Sequence, residues 1–296
     1  MPECVQFLIK RESAVLSDMK YKDSKSMVHA IIVFVAYVIG LDHLSLLARS
    51  RKYGTRAILR VYIALENIGD SNSETNGEYA FLKRNIILPT NNDETIVVFD
   101  VGANRGNYSR MVLALADQNG RHVELHAFEP MQKSYKALSC DLMLHRMNVH
   151  LNQFAASSSE KMITMYADEP DSEIASIAPR GLRYKGIRLD HKETVNALRL
   201  DTYIAQQGIS KIDFMKIDVE DHELEVLRGL GNLLNPDIVS CIQFEYGGTS
   251  GTLFDLYTIL ENSGYHIYRT TKNGHLIAKP YDPMMEKFFS NYIAQV

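Results

Sequence analysis

The feature that most constrains the fold is a short apolar strand that runs directly into a glycine turn. Residues 95–101 (TIVVFDV) are mostly apolar and β-branched, and Gly102 follows at once. Gly106 then precedes a segment of helical periodicity, residues 108–116. In an open parallel sheet, ligands bind at the carboxyl edge of the strands, where a glycine lets the backbone approach them closely. The sequence therefore predicts an α/β fold with a ligand site at this turn.

Strands and helices alternate along the rest of the chain. Further strands are predicted at residues 122–128, 148–155, 212–218 and 237–246, and helices at residues 133–146, 223–230 and 253–262. This order is typical of βαβ units with right-handed crossovers, and hence of a mostly parallel sheet. Two last strands, 266–271 and 275–280, predict a C-terminal antiparallel hairpin across residues 272–274. The predicted sheet therefore has seven strands.

The N-terminal part differs from this pattern. Residues 1–78 predict a helical extension, and residues 79–296 predict the α/β domain. The most apolar stretch is 27–41, which is shorter than the roughly 20 residues that span a bilayer. A helix continued through 27–47 would reach a marginal spanning length but would bury Asp42. Lysine and arginine residues flank the segment on both sides. A buried or partner-facing helix and membrane association through this helix are therefore both open.

Composition disfavours several classes of function. The formal net charge is −4, so there is no electrostatic basis for binding nucleic acid, which is not expected as a partner. The three cysteines, Cys4, Cys140 and Cys241, are widely spaced and form no CxxC pair. They suggest neither a disulfide framework nor a zinc site, and a reducing, cytoplasmic compartment is expected.

A second landmark is the acid that ends the second predicted strand. Phe128, Glu129 and Pro130 follow one another, and the proline ends the strand. A carboxylate here can accept hydrogen bonds from both ribose hydroxyls of a bound nucleoside. Its alternative role is to stabilise the N-terminus of the next helix. The pair Gly102 and Gly106 lacks the third glycine of the dinucleotide fingerprint, so that fingerprint is not met.

A third landmark is an acidic cluster at the end of the fourth predicted strand. Within residues 215–223, one histidine accompanies four acids: Asp218, Glu220, Asp221 and Glu223. Crowded carboxylates raise one another's pKa, which makes sense if one meets a cation or acts as a base. Asp218 and His222 are the strongest functional candidates. Glu245 ends the fifth predicted strand and should face the same cleft.

Three motifs in this order resemble the FkbM-type methyltransferase family. They are DVGANRGNYS (100–109), AFEP (127–130) and IDFMKIDVEDHELEVLRGL (212–230), and the resemblance covers roughly residues 95–280. It implies a class I Rossmann-like sandwich that uses S-adenosylmethionine, in a family of which many members O-methylate sugars or related hydroxyls. Family members usually have glycine where this chain has Asp221, which puts the turn geometry there in question.

The resemblance also assigns residues to the cofactor. The predicted cofactor-binding residues are Asp100, Gly102, Asn104, Gly106, Phe128, Glu129, Pro130 and Asp218. By the resemblance, Asp100, Gly102 and Asn104 hold the methionine part. Glu129 holds the ribose, and Phe128 and Pro130 border the nucleoside. Asp218 faces the sulfonium and the substrate.

The hypothesis for the reaction is a direct displacement, in which a substrate hydroxyl attacks the methyl group on the sulfonium. A hydroxyl is a poor nucleophile until its proton leaves, and His222 suits the role of base near neutral pH. Asp218 or Glu220 could orient this histidine or accept the proton through water. A Mg²⁺ ion held by Asp218 and Glu245 is a second way to acidify the hydroxyl. The sequence leaves both routes open.

Two alternatives belong to other classes: a nicotinamide-dependent oxidoreductase and a non-catalytic cofactor-binding module. The missing third glycine and the closing hairpin disfavour the first, and the intact Glu129 and Asp218 disfavour the second. The acceptor is expected to be a small molecule or a glycan. Residues 157–200 are predicted to be irregular, forming either a lid or acceptor wall or a solvated loop. Their basic and aromatic residues include Arg180, Arg183, Tyr184, Lys185 and Arg188.

Overall fold

A computed structural model describes most of the chain from residue 67 onward. The described residues are 67, 69–89, 94–142, 148–170, 172, 174–177, 188–247 and 252–296. The predicted helix at 27–47 lies outside them, so the extension and its boundary stay predictions. Among the described residues, no helix has the length and apolar character needed to cross a membrane.

The helices are α1 (Glu78–Phe81), α2 (Asn107–Gln118), α3 (Gln132–Leu142), α4 (Leu200–Gln207), α5 (Glu223–Leu230) and α6 (Leu253–Asn262). A π-helical segment, Leu82–Ile87, continues α1, and 3₁₀ turns occupy Gly231–Leu233 and Pro283–Lys287. The strands are β1 (Thr95–Val101), β2 (His122–Phe128), β3 (Val149–Asn152), β4 (Ala155–Ala156), β5 (Lys161–Ala167), β6 (His191–Leu198), β7 (Phe214–Ile217), β8 (Cys241–Tyr246), β9 (His266–Thr270), β10 (Leu276–Ala278) and β11 (Ser290–Gln295).

The main sheet confirms the predicted α/β class. Its strand order is β10-β9-β11-β8-β7-β1-β2-β3, and β3, β2, β1, β7 and β8 are parallel. The predicted hairpin forms as the antiparallel pair β9 and β10. This is a Rossmann-like sandwich of the class I methyltransferase type, with antiparallel strands at its C-terminal end.

The predicted number of seven strands is wrong, because the described residues already form eight strands of the main sheet. The additional strand, β11, lies between β8 and β9 and is antiparallel to both. Its sequence, SNYIAQ, is short and half polar, so periodicity gave no strong signal. It lies inside the sheet only because β8 and β9, which are distant from it in the sequence, pair with its two edges.

The central strands are buried because helices cover both faces of the sheet. Val98 and Phe214 face one side, where they share a core with Phe81 of α1. On the other side, Phe99 packs against Tyr203 of α4, with ring centroids 6.1 Å apart. These two cores fix the carboxyl ends of β1, β2, β7 and β8 at one edge of the sheet.

The segment after β3 corrects two predictions. The predicted strand 148–155 ends at Asn152, and β4 belongs to a second sheet with order β4-β6-β5. Residues 157–200 are therefore not simply irregular, since β5 and β6 form an antiparallel pair there. In β5, Ile163, Met165 and Ala167 alternate with more exposed residues, so only one face reaches a core. A lid role stays a prediction, because residues 178–187 lie outside the described residues.

We expect Ile293→Ala to destabilise the protein strongly, since Ile293 is 1% exposed and sits between Gln243 of β8 and Tyr268 of β9. Loss of a buried isoleucine side chain costs about 2–5 kcal/mol of unfolding free energy. Urea denaturation followed by circular dichroism measures the change. Met162→Ala is the control, because its side chain is 60% exposed and should change the value by less than about 0.5 kcal/mol. Equal effects of the two variants would contradict the placement of β11.

Candidate active site

The carboxyl ends of the parallel strands border a cleft of about 730 Å³. Predicted site residues that line it are Gly102, Asn104, Phe128, Glu129, Pro130, Asp218, Glu220, His222 and Glu245. The structure thus brings the three sequence landmarks to one place. Asp100 and Gly106 were also predicted, but they do not line the cleft.

The glycine turn after β1 is joined to both neighbouring strands. The backbone N–H of Gly102 donates to the carbonyl oxygen of Phe128 at 3.0 Å, and that of Asp218 donates to Val101 at 2.9 Å. Gly102 has φ +88°, and a Cβ built on it would lie 1.8 Å from the carbonyl oxygen of Asp218. Any side chain at this position would collide with that carbonyl oxygen, so only glycine fits. The turn of the first landmark and the strand end of the third landmark are therefore in direct backbone contact.

Asn104 occupies the tip of the turn with φ +47°. Its backbone N–H donates to Oε2 of Glu129 at 2.9 Å, and its side-chain Nδ2 donates to the carbonyl oxygen of Ser172 at 3.1 Å. Its Oδ1 atom is buried without a hydrogen-bond partner. A buried acceptor of this kind is costly unless a ligand donor satisfies it.

Glu129 connects the end of β2 to the glycine turn. Its carboxylate accepts the backbone N–H of Met131 at 2.8 Å as well as that of Asn104. Burial raises the pKa of Glu129 to about 7, although these two N–H groups favour the ionised form. Each carboxylate oxygen keeps a second lone pair, so the group can also accept the two hydroxyls of a ribose.

Asp100 is fully buried, and its Oδ2 accepts a hydrogen bond from Ser109 at 2.6 Å. Burial raises its pKa, while the charge of Lys216 opposes that shift. Gly106 begins α2 with φ +82°, and a Cβ there would lie 2.7 Å from a methyl carbon of Leu138. The structure therefore gives both residues packing roles beside the cleft, and their cofactor roles stay predictions.

Sequence reasoning missed a buried cation in the floor of the cleft. The Nζ atom of Lys216, on β7, lies 2.7 Å from Oδ2 of Asp218 and 5.0 Å from the ring centroid of Tyr108. Burial alone would lower the pKa of Lys216, but the carboxylates of Asp218, Asp100 and Glu78 outweigh burial and raise it. A lysine inside the otherwise apolar strand FMKI was the signal that could have revealed it.

Glu78 was also missed, and no local signal could have revealed it. It belongs to α1, is buried, and lines the cleft. Its carboxylate accepts hydrogen bonds from Nε2 of Gln243 at 2.7 Å and from Nδ2 of Asn291 at 2.8 Å. These donors lie on β8 and β11, so the contact depends on strands that are far away in the chain.

Three carboxylates gather in the cleft. Oxygen atoms of Asp218, Glu220 and Glu245 all lie within 4.8 Å of one another. Burial, and next the charges of Asp218 and Glu220, raise the pKa of Glu245 well above its usual range. Glu220 and Asp221 both adopt left-handed backbone conformations, with φ +58° and +75°. Glycine adopts positive φ without strain, so the backbone at Asp221 has a conformation that a glycine at this position would also adopt.

His222 follows this turn and precedes α5. Its Nε2 atom lies 3.0 Å from Oγ of Ser157, at the end of β4. Burial lowers its pKa, so the ring is mostly neutral at pH 7 and able to accept a proton.

The next residue, Glu223, is buried and accepts the backbone N–H of Val219 at 3.2 Å. Burial raises the pKa of Glu223 to about 8.

The residues present suit an adenosyl cofactor. The turn at Gly102 admits close contact, Asn104 offers an unsatisfied buried acceptor, and Glu129 can receive ribose hydroxyls. The apolar residues Phe154 and Met165 line the same cleft and can pack against a nucleoside. Together with the sheet order, these features define a class I S-adenosylmethionine-dependent methyltransferase.

Comparison with known proteins identifies the family. A match to the family described as "Methyltransferase FkbM domain" spans residues 100–267, which is more than half of the chain. The chain therefore belongs to the FkbM methyltransferase family, and the nicotinamide-dependent alternative is set aside.

Curated relatives agree with this family. The chain is 30% identical over 194 residues to the 31-O-demethyl-FK506 methyltransferase FkbM of Streptomyces tacrolimicus, covering 58% of this chain and 73% of that protein. It is 27% identical over 197 residues to methyltransferase sdnD of Sordaria araneosa, covering 58% and 74%. Among solved structures, methyltransferase FkbM from Methylobacillus flagellatus KT is similar with 15% identity and a TM-score of 0.47, covering 80% of this chain and 59% of that one.

We expect Gly102→Ala to abolish or strongly weaken cofactor binding, because its Cβ would collide with the backbone of Asp218. Calorimetric titration with S-adenosylhomocysteine should show affinity reduced by about tenfold or more. Gly120→Ala is the matched control: it also has positive φ, but a Cβ there meets nothing within 4 Å. It should cost about 1 kcal/mol of stability from backbone strain alone and leave binding unchanged. Unchanged binding by the Gly102 variant would exclude the turn as the cofactor site.

We expect Glu223→Gln to flatten the dependence of stability on pH. In the folded protein the Glu223 carboxyl has a pKa of about 8 against an ordinary 4.5, so the native state holds a proton that the unfolded state releases. Its contribution to stability is therefore lost as pH rises through that range. Glutamine cannot ionise, so the wild type should lose roughly 2–4 kcal/mol more than the variant between about pH 5 and about pH 9.

Urea denaturation at a series of pH values measures this difference. Glu225→Gln is the control, since hydrogen bonding to Ser158 and Arg228 lowers the pKa of Glu225 and gives no such contribution in this window. Parallel pH profiles for the wild type and the Glu223 variant would show that this carboxyl is ionised in the folded protein.

Proposed function

We propose that this methyltransferase transfers a methyl group to a hydroxyl of a small molecule or a glycan. The observation that carries the proposal is the position of His222, a neutral base, in the same cleft as the glycine turn and Glu129. The name of the relative from Streptomyces tacrolimicus describes methylation of an oxygen, and this supports a hydroxyl acceptor here as well.

When bound, S-adenosylmethionine supplies a methyl group on a positively charged sulfur, which an acceptor oxygen can take in a direct displacement. The protein has to position the partners and remove the hydroxyl proton. Glu129 and Asn104 would orient the cofactor through hydrogen bonds to its polar groups. The carboxylates of Asp218 and Glu220 would attract the positive sulfonium.

His222 would act as the base. With the Ser157 hydroxyl accepting a hydrogen bond from Nε2–H of the ring, Nδ1 is the nitrogen that would accept the proton. Burial lowers the pKa of His222, and this keeps the ring deprotonated at a pH where an ordinary histidine begins to take up a proton. The fixed ring and the lowered pKa both suit a general base that works near neutral pH.

A Mg²⁺ ion bound by Asp218, Glu220 and Glu245 is a second candidate for activating the hydroxyl. Their oxygens are close enough to share a cation, and carboxylates are the ligands that Mg²⁺ prefers. However, Lys216 already places a positive charge 2.7 Å from Asp218, and burial favours a proton on Glu245. Both features reduce the need for a metal, so the histidine route is the one we propose.

The proposal predicts that His222→Ala lowers kcat/KM by about 10²–10⁴-fold without loss of cofactor affinity, because it removes the base and not the cofactor site. Asp218→Asn should also lower the rate. A labelled-methyl assay over glycans, lipids and small hydroxyl compounds finds the acceptor and then measures the rates. His266→Ala, an exposed histidine on β9, is the control and should retain full activity.

The pH profile of the wild type gives a second measurement. Its acid limb should have a midpoint below 6.5, the ordinary pKa of histidine, and should vanish in the His222 variant. Full activity of both the His222 and Asp218 variants, with and without a chelator, would overturn this assignment. Loss of activity on chelation alone would transfer the role of the base to a metal.

A further inference from the structure

A second group of ionisable side chains lies outside the cleft, on β2 and β3. His126 of β2 and His150 of β3 are directly paired in the parallel register of the two strands. Glu124 precedes His126 by two residues and therefore lies on the same face of the sheet. None of these three side chains lines the cleft, so methyl transfer does not explain their arrangement.

Both imidazoles approach the same carboxylate oxygen. The Nε2 atom of His126 lies 3.2 Å from Oε1 of Glu124, and the Nε2 atom of His150 lies 3.2 Å from that same oxygen. One potential ligand atom from each residue lies within 4.8 Å of the other two. A tetrahedral zinc ion with bonds of about 2.0–2.1 Å separates its ligand atoms by about 3.3 Å, which is close to these distances.

Contacts on its buried side hold the ring of His126 in place. Its side chain is only 1% exposed, and its Nδ1 atom lies 2.8 Å from the hydroxyl of Tyr203. Asn152 donates a hydrogen bond to that same hydroxyl at 3.1 Å. In metal sites, the second nitrogen of a ligating histidine usually has such a partner, which sets the orientation of the ring.

We propose that Glu124, His126 and His150 form a surface site for a divalent transition-metal cation such as Zn²⁺. Two imidazoles and one carboxylate are a ligand set that suits zinc and leaves a position for water. The side chains of Glu124 and His150 are 38% and 41% exposed, so a cation can reach them from solvent. The site would join β3, the edge strand of the main sheet, to its neighbour.

Binding requires one adjustment. The two imidazole rings are stacked, 7° from parallel with centroids 4.3 Å apart, so their Nε2 lone pairs run side by side. His126 is held by Tyr203, whereas His150 is at the surface and can rotate about its side-chain torsions until its Nε2 atom faces the cation. Binding should therefore disrupt the stack and leave the position of His126 unchanged.

The test uses the full chain without a polyhistidine tag, dialysed against EDTA and then into metal-free buffer. Calorimetric titration with ZnCl₂ should show one binding event more in the wild type than in His150→Gln. Saturating Zn²⁺ should raise the melting temperature of the wild type by about 3–6 °C, because the ion binds only the folded protein. Neither effect depends on methyl transfer, so the outcome is independent of the proposed function.

His266→Gln is the matched control, since it removes an exposed histidine from a strand at the other end of the main sheet and should keep the extra binding event. Glu124→Gln should weaken binding by about tenfold or more, through loss of the anionic ligand. Identical zinc stoichiometry and melting shift in the wild type and in His150→Gln would overturn the proposal. The two histidines and the acid would then form only a hydrogen-bonded surface cluster.

Discussion

The buried charge of Lys216 is the constraint on which the acidic cleft depends. A lysine that is removed from water is tolerated only when carboxylates surround it, and here Asp218, Asp100 and Glu78 raise its pKa together. Asp218 directly follows β7, Asp100 lies on β1 and Glu78 lies on α1. Lys216 and its three carboxylates therefore link three elements beneath one cleft. The positive charge of the lysine also reduces the repulsion between the carboxylates.

The backbone contact at Gly102 places this charged floor next to the cofactor turn. Because Gly102 has no Cβ, the end of β1 approaches the backbone of Asp218. Glu129 binds the other side of the turn through the backbone N–H of Asn104. The proposed methyl-donor site and the proposed base, His222, therefore lie at one sheet edge, and Ser157, which follows β4 of the second sheet, contacts the base.

Much of this could be predicted from the sequence. The bounds of β1, β2, α5 and α6 match the predicted segments, because long apolar runs and helical periodicity are local signals. Nine predicted residues line the cleft, and each lies at the end of a predicted strand or in the turn after it. The strand β11 was missed, because its short, half-polar sequence is buried only by pairing with β8 and β9.

The α/β class, the glycine turn and the acids at the strand ends follow from contiguous residues, so local patterns are enough to predict them. The pairing of the charges depends instead on contacts between distant segments. Lys216 and Glu78 lie 138 positions apart in the chain and meet because strand order brings α1 to the cleft. The pairing of His126 with His150 likewise depends on the register of β2 and β3. Contacts of this kind are set by packing, which local sequence patterns do not encode.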